Sequence, residues 1–403
     1  MRTRISALIL AAALLLTACA APEPPDQADG QIQYDWMAGE SPVSPLRTGI
    51  KRQGIYSLEN SFECTEHGVY FMYSLPSGGS CILYGDHGSD TLIKLCGRPD
   101  CMHEDASCDA YFFGGVNICY DGGSLYVTTG ASFAAELIRM GPDGTERVRV
   151  MDTAAVNASG GYTGMMAPMV WNGVFTFSPY KLDEAGNMVA DTYYYKLDGS
   201  IEAPEMADMN MGLFNDGTHF LVEKLTGDNV SQVWLWDPET NETTYLTDGV
   251  GMGYYGTEAV YYARDGGVYC KTYATGEEEL LFDSGLDGDY RLICFPDCMV
   301  LASLEDSGSA DPNLYIYNWA YEPVATVELD YSFTYRPASL IVGETPERII
   351  LSDSQERLPR YYIEKAEFGA GNVNIHEYSM PDMAKELQHR EEQQPDAEWL
   401  ENG

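Results

Sequence analysis

The most regular feature of the sequence is a pair of short apolar runs separated by a tight turn. The first pair is Phe62–Cys64 and Val69–Phe71, on either side of the turn Glu66–Gly68. Apolar, aromatic and β-branched runs that flank turn residues predict two antiparallel strands joined as a hairpin. The pair occurs seven times, and its second run begins at residues 69, 125, 174, 220, 260, 299 and 349.

Each of these hairpins is followed by a second one. The clearest has the strands Val233–Trp236 and Thr243–Leu246 around the turn Asp237–Asn241. This turn contains proline, aspartate and asparagine, which favour tight reversals of the chain. The first strands of the other six are Cys81–Tyr84, Leu137–Met140, Tyr193–Tyr195, Val268–Cys270, Leu314–Tyr317 and Tyr361–Ile363.

The length of the repeat indicates the fold. The second runs follow one another at steps of 56, 49, 46, 40, 39 and 50 residues. Four strands repeated about every 45 residues is the spacing of a β-propeller blade, a small sheet that buries its faces against its neighbours in a ring. We therefore predict an all-β fold, a seven-bladed β-propeller of four-stranded antiparallel blades, because a β-sandwich would not explain a register held seven times. Residues Gly54–Leu58 are predicted to add an outer strand to the last blade and to close the ring.

The two ends of the chain lie outside this repeat. Residues 19–48 carry scattered proline, glycine, aspartate and serine without a hydrophobic period, and they predict a flexible tether. The propeller is assigned to residues 49–380, and residues 381–403 to a short C-terminal helix with a frayed tail. Met380, Met383 and Leu387 would share one face of that helix.

Residues 1–18 have the pattern of a secretory signal peptide. Arg2 and Arg4 precede the apolar run Ile5–Leu16, which is too short to span a bilayer as a mature helix. The following residues, Leu16–Cys19, resemble the lipobox of bacterial lipoproteins. That resemblance implies cleavage before Cys19, acylation of its thiol, for example with palmitate, and attachment to the cell membrane by several acyl chains.

The lipobox, the seven repeats and the segment Leu95–His103 together resemble a wider group of proteins. These are the uncharacterised lipid-anchored β-propellers of Gram-positive gut bacteria and, more loosely, TolB-type and YWTD-type propellers. The resemblance implies the fold and a location on the extracytoplasmic face of the cell membrane. It implies no activity, because propellers carry many unrelated functions.

Composition restricts the choice of partners. The chain has 62 acidic and 23 basic residues and a net charge of −39. Nucleic acids and anionic lipid surfaces require neutralisation by lysine and arginine, so the composition excludes nucleic acid as a partner. Apolar residues make up 45% of the chain, and 29 residues are tyrosine, which is enough for a sizeable core and excludes a disordered chain.

A dense group of cysteines offers the chain's most specific candidate chemistry. Cys96, Cys101, His103 and Cys108 supply three thiols and one imidazole, a complete tetrahedral ligand set for structural zinc. Disulfides are the alternative, since an exported protein can form them. A two-residue turn at Gly88–Ser89 would place Cys81 opposite Cys96, and Cys101 would then close a small loop with Cys108. Free thiols are the third alternative.

Other motifs point to turns rather than to chemistry. Residues 251–256 match the letters of a dinucleotide-binding fingerprint, but a strand follows where that site needs a helix N-terminus. The acids at Asp183–Asp191 and Asp287–Asp289 do not match the EF-hand pattern and are interpreted as solvated turn residues. The sequence contains neither an HExxH pair nor a Gly-x-Ser-x-Gly elbow.

These observations predict a binding protein. The leading hypothesis is a surface-anchored extracellular propeller that binds a ligand or a protein partner without catalysis, with the membrane as a second partner through the lipid on Cys19. The alternative is an extracellular hydrolase or lyase acting on glycan, with carboxylates at the channel of the propeller.

Overall fold

The computed structural model describes residues 51–381 of the chain with internal gaps. The gaps are residues 53–61, 75–78, 97, 99–106, 114–116, 130–135, 185, 187, 210, 216–219, 226–230, 251–252, 257, 306–309, 330–335, 353–358 and 371–372. Every described residue belongs to one compact unit of the chain, Trp36–Gly403.

The described residues form seven antiparallel sheets, and each sheet is built from four strands that follow one another in the chain. We number these sheets as blades I to VII. A two-residue strand, β1 (Lys51–Arg52), precedes them. Blade I contains β2 (Phe62–Thr65), β3 (Gly68–Ser74), β4 (Gly79–Gly85) and β5 (Ile93–Lys94), and β6 (Tyr111–Phe113) is a second neighbour of β4. Blade II contains β7 (Asn117–Asp121), β8 (Ser124–Thr129), β9 (Glu136–Met140) and β10 (Val148–Asp152). Blade III contains β11 (Gly164–Trp171), β12 (Val174–Leu182), the short β13 (Met188–Ala190), β14 (Thr192–Lys196) and β15 (Glu205–Ala207).

The remaining four blades repeat the same order. Blade IV contains β16 (Met211–Asn215), β17 (Phe220–Leu225), β18 (Ser231–Asp237) and β19 (Glu242–Asp248), and blade V contains β20 (Tyr254–Tyr255), β21 (Ala259–Arg264), β22 (Gly267–Thr272) and β23 (Glu278–Asp283). Blade VI contains β24 (Tyr290–Cys294), β25 (Cys298–Ser303), β26 (Asn313–Asn318) and β27 (Pro323–Glu328). Blade VII contains β28 (Ile341–Glu344), β29 (Arg348–Ser352), β30 (Pro359–Glu364) and β31 (Ile375–Glu377). The predicted seven-bladed propeller is therefore confirmed.

Helical structure is scarce in the described part of the chain. One α-helix, α1 (Ala154–Gly160), lies between blades II and III, and two 3₁₀ turns span Pro337–Ser339 and Lys365–Glu367. Met380 and Pro381 are not helical, and the rest of the predicted C-terminal helix lies outside the described residues. The predicted closing strand Gly54–Leu58, the signal peptide and the tether also lie outside them.

Burial follows the position of a strand within its blade. The second strands are covered on both faces, and all residues of β25 and β29 are buried. The fourth strands lie at the rim, where β23 is exposed or half-buried along its whole length. This gradient explains why the second strands read as continuous apolar runs while the fourth strands carry charges.

Hydrophobic clusters fill every joint between neighbouring blades. The joints II–III, III–IV, IV–V, V–VI and VI–VII each contain a separate cluster. A single cluster spans both I–II and VII–I, since it joins Phe71 of blade I to Ile118 of blade II and to Tyr362 of blade VII. The sheets thus cover one another around a closed ring.

Candidate functional site

The strand order of each blade places its turns on two opposite sides of the ring. Because neighbouring strands are antiparallel, the turn between the first and second strands and the turn between the third and fourth strands of a blade lie on the same side. We call this side the turn face. The other side carries the turns between second and third strands and the connections from one blade to the next.

Carboxylates are present at every third-to-fourth-strand turn of the turn face. They are exposed in blades I to VI, and in blade VII Glu367 is half-buried. We call this set the acidic crown: Asp86, Asp90, Asp143, Glu146, Asp198, Glu202, Asp237, Glu239, Glu277, Glu322 and Glu367. Since every blade contributes at least one member, negative charge is present around the whole of this face.

Several crown carboxylates also hold their own turns. Asp143 accepts bonds from the Thr145 backbone N–H (3.0 Å) and the Thr145 hydroxyl (2.7 Å), and these bonds lower the pKa of Asp143. Hydrogen bonds from Ser200 lower the pKa of Asp198 in the same way. Both groups are therefore ionised throughout the neutral range.

Few cations offset the crown. Among the described residues of the turns on this face, the lysines and arginines are Arg147 and Lys365. The Arg147 guanidinium lies 4.0 Å above the Phe112 ring and donates to the Tyr111 carbonyl at 2.9 Å. Lys365 is buried beneath the surface. Outside the turns, Lys196 at the end of β14 pairs with Glu239 at 3.2 Å, and His376 of β31 contacts Glu367 at 2.7 Å. The carboxylates of the crown therefore outnumber the cations beside them.

A shallow cavity lies at the crown of blade V. Its volume is about 430 Å³, and Cys270, Thr272 and the three glutamates Glu277–Glu279 line it. Hydrogen bonds from Arg264 and Tyr262 lower the pKa of Glu278 and hold it ionised. The cavity thus presents fixed negative charge beside a half-buried thiol and a hydroxyl.

Lys365 belongs to a buried ionic cluster between blades VI and VII. Its side chain is 3% exposed, and its Nζ lies 2.7 Å from Oδ2 of Asp297 and also donates to Glu344. Burial alone would lower the pKa of Lys365, but the two carboxylates outweigh it and raise that pKa. Two carboxylates share one cation here, so the cluster holds a fixed ammonium and one carboxyl that ionises with difficulty.

Glu344 is the carboxyl that is hard to ionise, and it makes stability depend on pH. Burial raises the pKa of Glu344 from 4.5 to about 8, with Asp297 adding to the effect and Lys365 opposing it. Between these two values the folded protein holds a proton that the unfolded chain releases, so stability is lost as pH rises toward 8.

We expect Glu344→Gln to remove this contribution. The difference in unfolding free energy between wild type and variant should change by up to about 1.4 kcal/mol per pH unit between pH 5 and 8, since one proton is involved. Urea unfolding at pH 5, 6.5 and 8 measures it, with exposed Glu322→Gln as the control. Parallel pH profiles for wild type and Glu344→Gln would contradict the assignment.

The inner strands offer little for acid–base chemistry in the described residues. Their carboxylates are Glu63, Asp121 and Glu344. Asp121 accepts from the backbone N–H groups of Asn172 (2.8 Å) and Gly173 (2.9 Å), which form a left-handed turn with φ of 45° and 75°. Glu344 is bound to Lys365. Two of the three carboxylates therefore have structural roles, and the predicted glycan-active pair finds no support in their geometry.

The chain also occupies part of its own channel. β1 pairs with β16, the first strand of blade IV, through Lys51–Asn215 and Arg52–Phe214. The free edge of a first strand faces the centre of a propeller. β1 therefore lies inside the ring, where a channel ligand would otherwise reach blade IV.

The predicted cysteine site is only partly within the described residues. Cys101 and His103 lie outside them, while buried Cys108 and half-buried Cys96 both contact the cluster around blade I. An ion pair of 3.1 Å joins Arg98 to Asp109 between these two thiols. The described part of the chain contains no group of three or more metal-ligating side chains, so the zinc site stays a prediction.

The strand register around Cys81 differs in part from the prediction. The register expected from the turn at Gly88–Ser89 is confirmed by the pair Leu83–Lys94 and by the bond from Leu95 N to Ile82 O. At Cys81, however, the neighbour of β4 is β6, and Cys81 lies opposite Tyr111 rather than Cys96. The two predicted disulfides are not tested by this register and stay a prediction.

The remaining sequence motifs behave as turns. Gly253 leads directly into β20, so the glycine-rich segment 251–256 precedes a strand, as predicted. Asp183 accepts a turn hydrogen bond from Gly186 at the end of the β12–β13 hairpin, which the sequence analysis missed. Within the described residues, no helix has the length and apolar character needed to cross a bilayer. Cys19 lies outside the described residues, and its acylation stays a prediction.

Comparison with known proteins finds solved structures of low sequence identity. No family model matches the sequence, and no curated protein matches it either. Acylaminoacyl peptidase from Pyrococcus horikoshii is 11% identical, with 79% of this chain and 52% of that chain covered and a TM-score of 0.49. The chain therefore spans about half the length of that peptidase.

Two further solved structures are similar to this chain at low identity. TolB from Acinetobacter baumannii is 14% identical, with 65% of this chain and 63% of that chain covered and a TM-score of 0.37. The β-propeller domain of the Trilobed protease from Pyrococcus furiosus is 8% identical, with 78% and 95% covered and a TM-score of 0.42. Such low identities give no information about activity.

Proposed function

We propose that this chain is a non-catalytic, lipid-anchored propeller on the extracytoplasmic face of the cell membrane, and that it binds a cationic protein or ligand through its turn face. The observation that carries this proposal is the acidic crown, with a carboxylate at each of the seven third-to-fourth-strand turns. A partner rich in lysine or arginine complements this field, whereas an anionic partner is repelled.

The geometry of the ring favours the turn face over the channel. β1 takes up the inner edge of blade IV, so part of the channel is already occupied. The cavity on blade V lies at the crown, where Glu277 and Glu279 line it beside Glu278, whose charge is paired with Arg264. Short turns held by their own side-chain hydrogen bonds also keep the crown preorganised, which lowers the entropic cost of binding.

Charge-neutralised variants test the binding face. We expect the crown variant, which combines Asp143→Asn, Asp198→Asn, Asp237→Asn and Glu322→Gln, to bind a fluorescent decalysine peptide on the order of 10-fold more weakly than wild type. Asparagine keeps the side-chain oxygens that accept from Thr145 and Ser200, so the turns remain intact. Fluorescence anisotropy at 50 mM and 300 mM salt measures the affinity, and the difference should shrink at high salt.

A matched control neutralises four exposed acids on the opposite side of the ring. It combines Glu184→Gln, Asp265→Asn, Asp287→Asn and Asp289→Asn and changes the net charge equally. A six-residue strand separates the two faces by about 20 Å, more than twice the Debye length of about 8 Å at physiological salt. The control should therefore lose far less affinity. If both variants lost decalysine affinity equally, net charge alone would explain the effect. That result would contradict the proposal that the turn face is the binding face.

Turnover assays test the non-catalytic part of the proposal. Wild-type protein incubated with a panel of released polysaccharides should produce no new reducing or unsaturated ends, while decalysine binding persists. Cleavage that is lost in Glu63→Gln would instead establish the glycan-active alternative, since Glu63 is the remaining described carboxylate of the inner strands.

A further inference from the structure

The joint between blades VII and I differs from the other six in its connectivity. The chain passes directly from each blade to the next at joints I–II through VI–VII. The four paired strands of blade I are β2–β5, and those of blade VII are β28–β31, so no described strand is shared across the joint VII–I. In the part of the chain that the structure describes, side chains and short backbone segments make the contacts across this joint.

Two residues that follow the last strand supply such contacts. The Ser379 N–H donates to the Asp90 carbonyl at 2.6 Å, and the Leu92 N–H donates to the Ser379 carbonyl at 2.9 Å. Thr91 and Ser379 form a parallel bridge between these bonds. We call Tyr378–Ser379 the strap, because it leaves blade VII and lies along the third-to-fourth-strand turn of blade I.

The strap also carries a buried aromatic ring across the joint. Tyr378 is 2% exposed, and its ring centroid lies 5.6 Å from that of Phe71 in blade I and 4.6 Å from that of Tyr362 in blade VII. Burial raises the pKa of Tyr378 to about 12, so the hydroxyl stays neutral in this contact.

Arg348 forms a second attachment beside the strap. Its guanidinium donates to the Gly88 carbonyl at 2.9 Å and to the Ser89 carbonyl, both in blade I. The same group pairs with Glu364 at 2.8 Å and lies 3.9 Å above the Tyr362 ring. Arg348 is thus fixed within blade VII, and its remaining donors reach the same turn of blade I that the strap occupies.

We propose that the strap is the closing device of the ring: when Tyr378–Ser379 leaves its seat on blade I, the joint VII–I opens while the other six joints stay closed. Among the described residues no strand crosses this joint, and the strap and Arg348 bridge it beside the hydrophobic cluster that spans it. Opening would expose the first strand of blade I and give lateral access to the inside of the ring.

The rate at which the Cys64 thiol is alkylated measures whether this joint is open, and no label has to be introduced. Cys64 lies half-buried in β2, where Phe62 packs against Gly343 of blade VII. Burial, together with Glu63 and Glu344, raises the pKa of Cys64 to about 12, so its thiol reacts slowly while the joint is closed. Cys298 is fully buried at the joint VI–VII and provides an internal reference thiol.

The test compares alkylation rates of these two thiols by peptide mass spectrometry under native conditions. Ser379→Pro removes the N–H that donates to Asp90, whereas Ser379→Ala keeps it and serves as the matched control. A third chain, which ends after Glu377, lacks the strap altogether. Because Ser379→Pro changes one residue, it tests the proposal even where the shortened chain does not fold.

We expect Cys64 in Ser379→Pro to react on the order of tenfold faster than in wild type, a factor that corresponds to about 1.4 kcal/mol. The rate at Cys298 should not change, and Ser379→Ala should match wild type. An unchanged Cys64 rate in Ser379→Pro overturns the proposal. Equal acceleration at Cys64 and Cys298 also overturns it, because the ring would then be loosened as a whole.

Discussion

Replacing Lys365 with methionine is expected to lower the free energy of unfolding by about 3–5 kcal/mol, the usual cost of removing one member of a buried ion pair. The ammonium of Lys365 is 3% exposed and holds Asp297 of blade VI and Glu344 of blade VII together. Methionine fills most of the volume but leaves both carboxylates buried without their cation. Urea unfolding followed by tryptophan fluorescence measures the change.

The control for this variant is Lys224→Met. Lys224 pairs at 2.8 Å with Asp208, whose side chain is 80% exposed. An ion pair that is open to water contributes about 0–1 kcal/mol, so Lys224→Met should cost far less. The double variant Lys365→Met with Asp297→Asn should recover part of the lost stability, because the carboxylate that Lys365 neutralises is then removed as well. Equal costs for Lys365→Met and Lys224→Met would show that the cluster does not fasten blades VI and VII.

Replacing Cys19 with serine is expected to abolish attachment to the membrane. The proposed anchor depends on acylation of the Cys19 thiol, and a serine hydroxyl at the lipobox position Leu16–Cys19 does not accept the lipid. Several acyl chains give durable membrane binding, whereas their loss leaves a body with a net charge of −39 that an anionic membrane repels. Incorporation of labelled palmitate and fractionation of cells into membrane and soluble parts measure the effect.

Cys270→Ser provides the matched loss of a thiol elsewhere in the chain. Cys270 is half-buried on blade V, so this variant should keep full palmitate labelling and full membrane recovery. Palmitate incorporation that persists in Cys19→Ser and disappears in another cysteine variant would contradict the assignment of the anchor.

The blade pattern was predictable from the sequence because a hairpin is a local structure. The predicted strands Val233–Trp236 and Thr243–Leu246 lie within β18 and β19, and the turn between them contains Asn241 with a φ of 58°. An apolar run, a turn residue that tolerates positive φ and a second apolar run are all read within about fifteen residues. The same reasoning located the other six repeats.

Contacts between distant segments were not predictable in this way. β6 replaces β5 as the neighbour of β4 at Cys81, and this exchange changed the expected pairing with Cys96. Lys365 meets Asp297 across 68 residues, and Arg348 meets Ser89 across 259 residues. No local pattern identifies such partners, because they come together only when the blades close into a ring.

The candidate binding face is an intermediate case. The acids Asp143, Asp198 and Asp237 were visible in the sequence as turn residues, but any turn acid has the same local appearance. Their common position on one side of the ring follows only from the strand order of each blade. The sequence therefore predicted the charge of the protein, and the topology was needed to show which turn acids share one side of the ring.

Hydrogen–deuterium exchange with and without decalysine tests the central claim of a cationic partner on the turn face most directly. We predict that the peptide slows exchange in the third-to-fourth-strand turns, including Gly141–Thr145, Leu197–Ser200 and Tyr273–Glu277, and leaves Ser284–Asp289 on the opposite side unchanged. Protection confined to Ser284–Asp289 and the other blade-to-blade connections would contradict the claim.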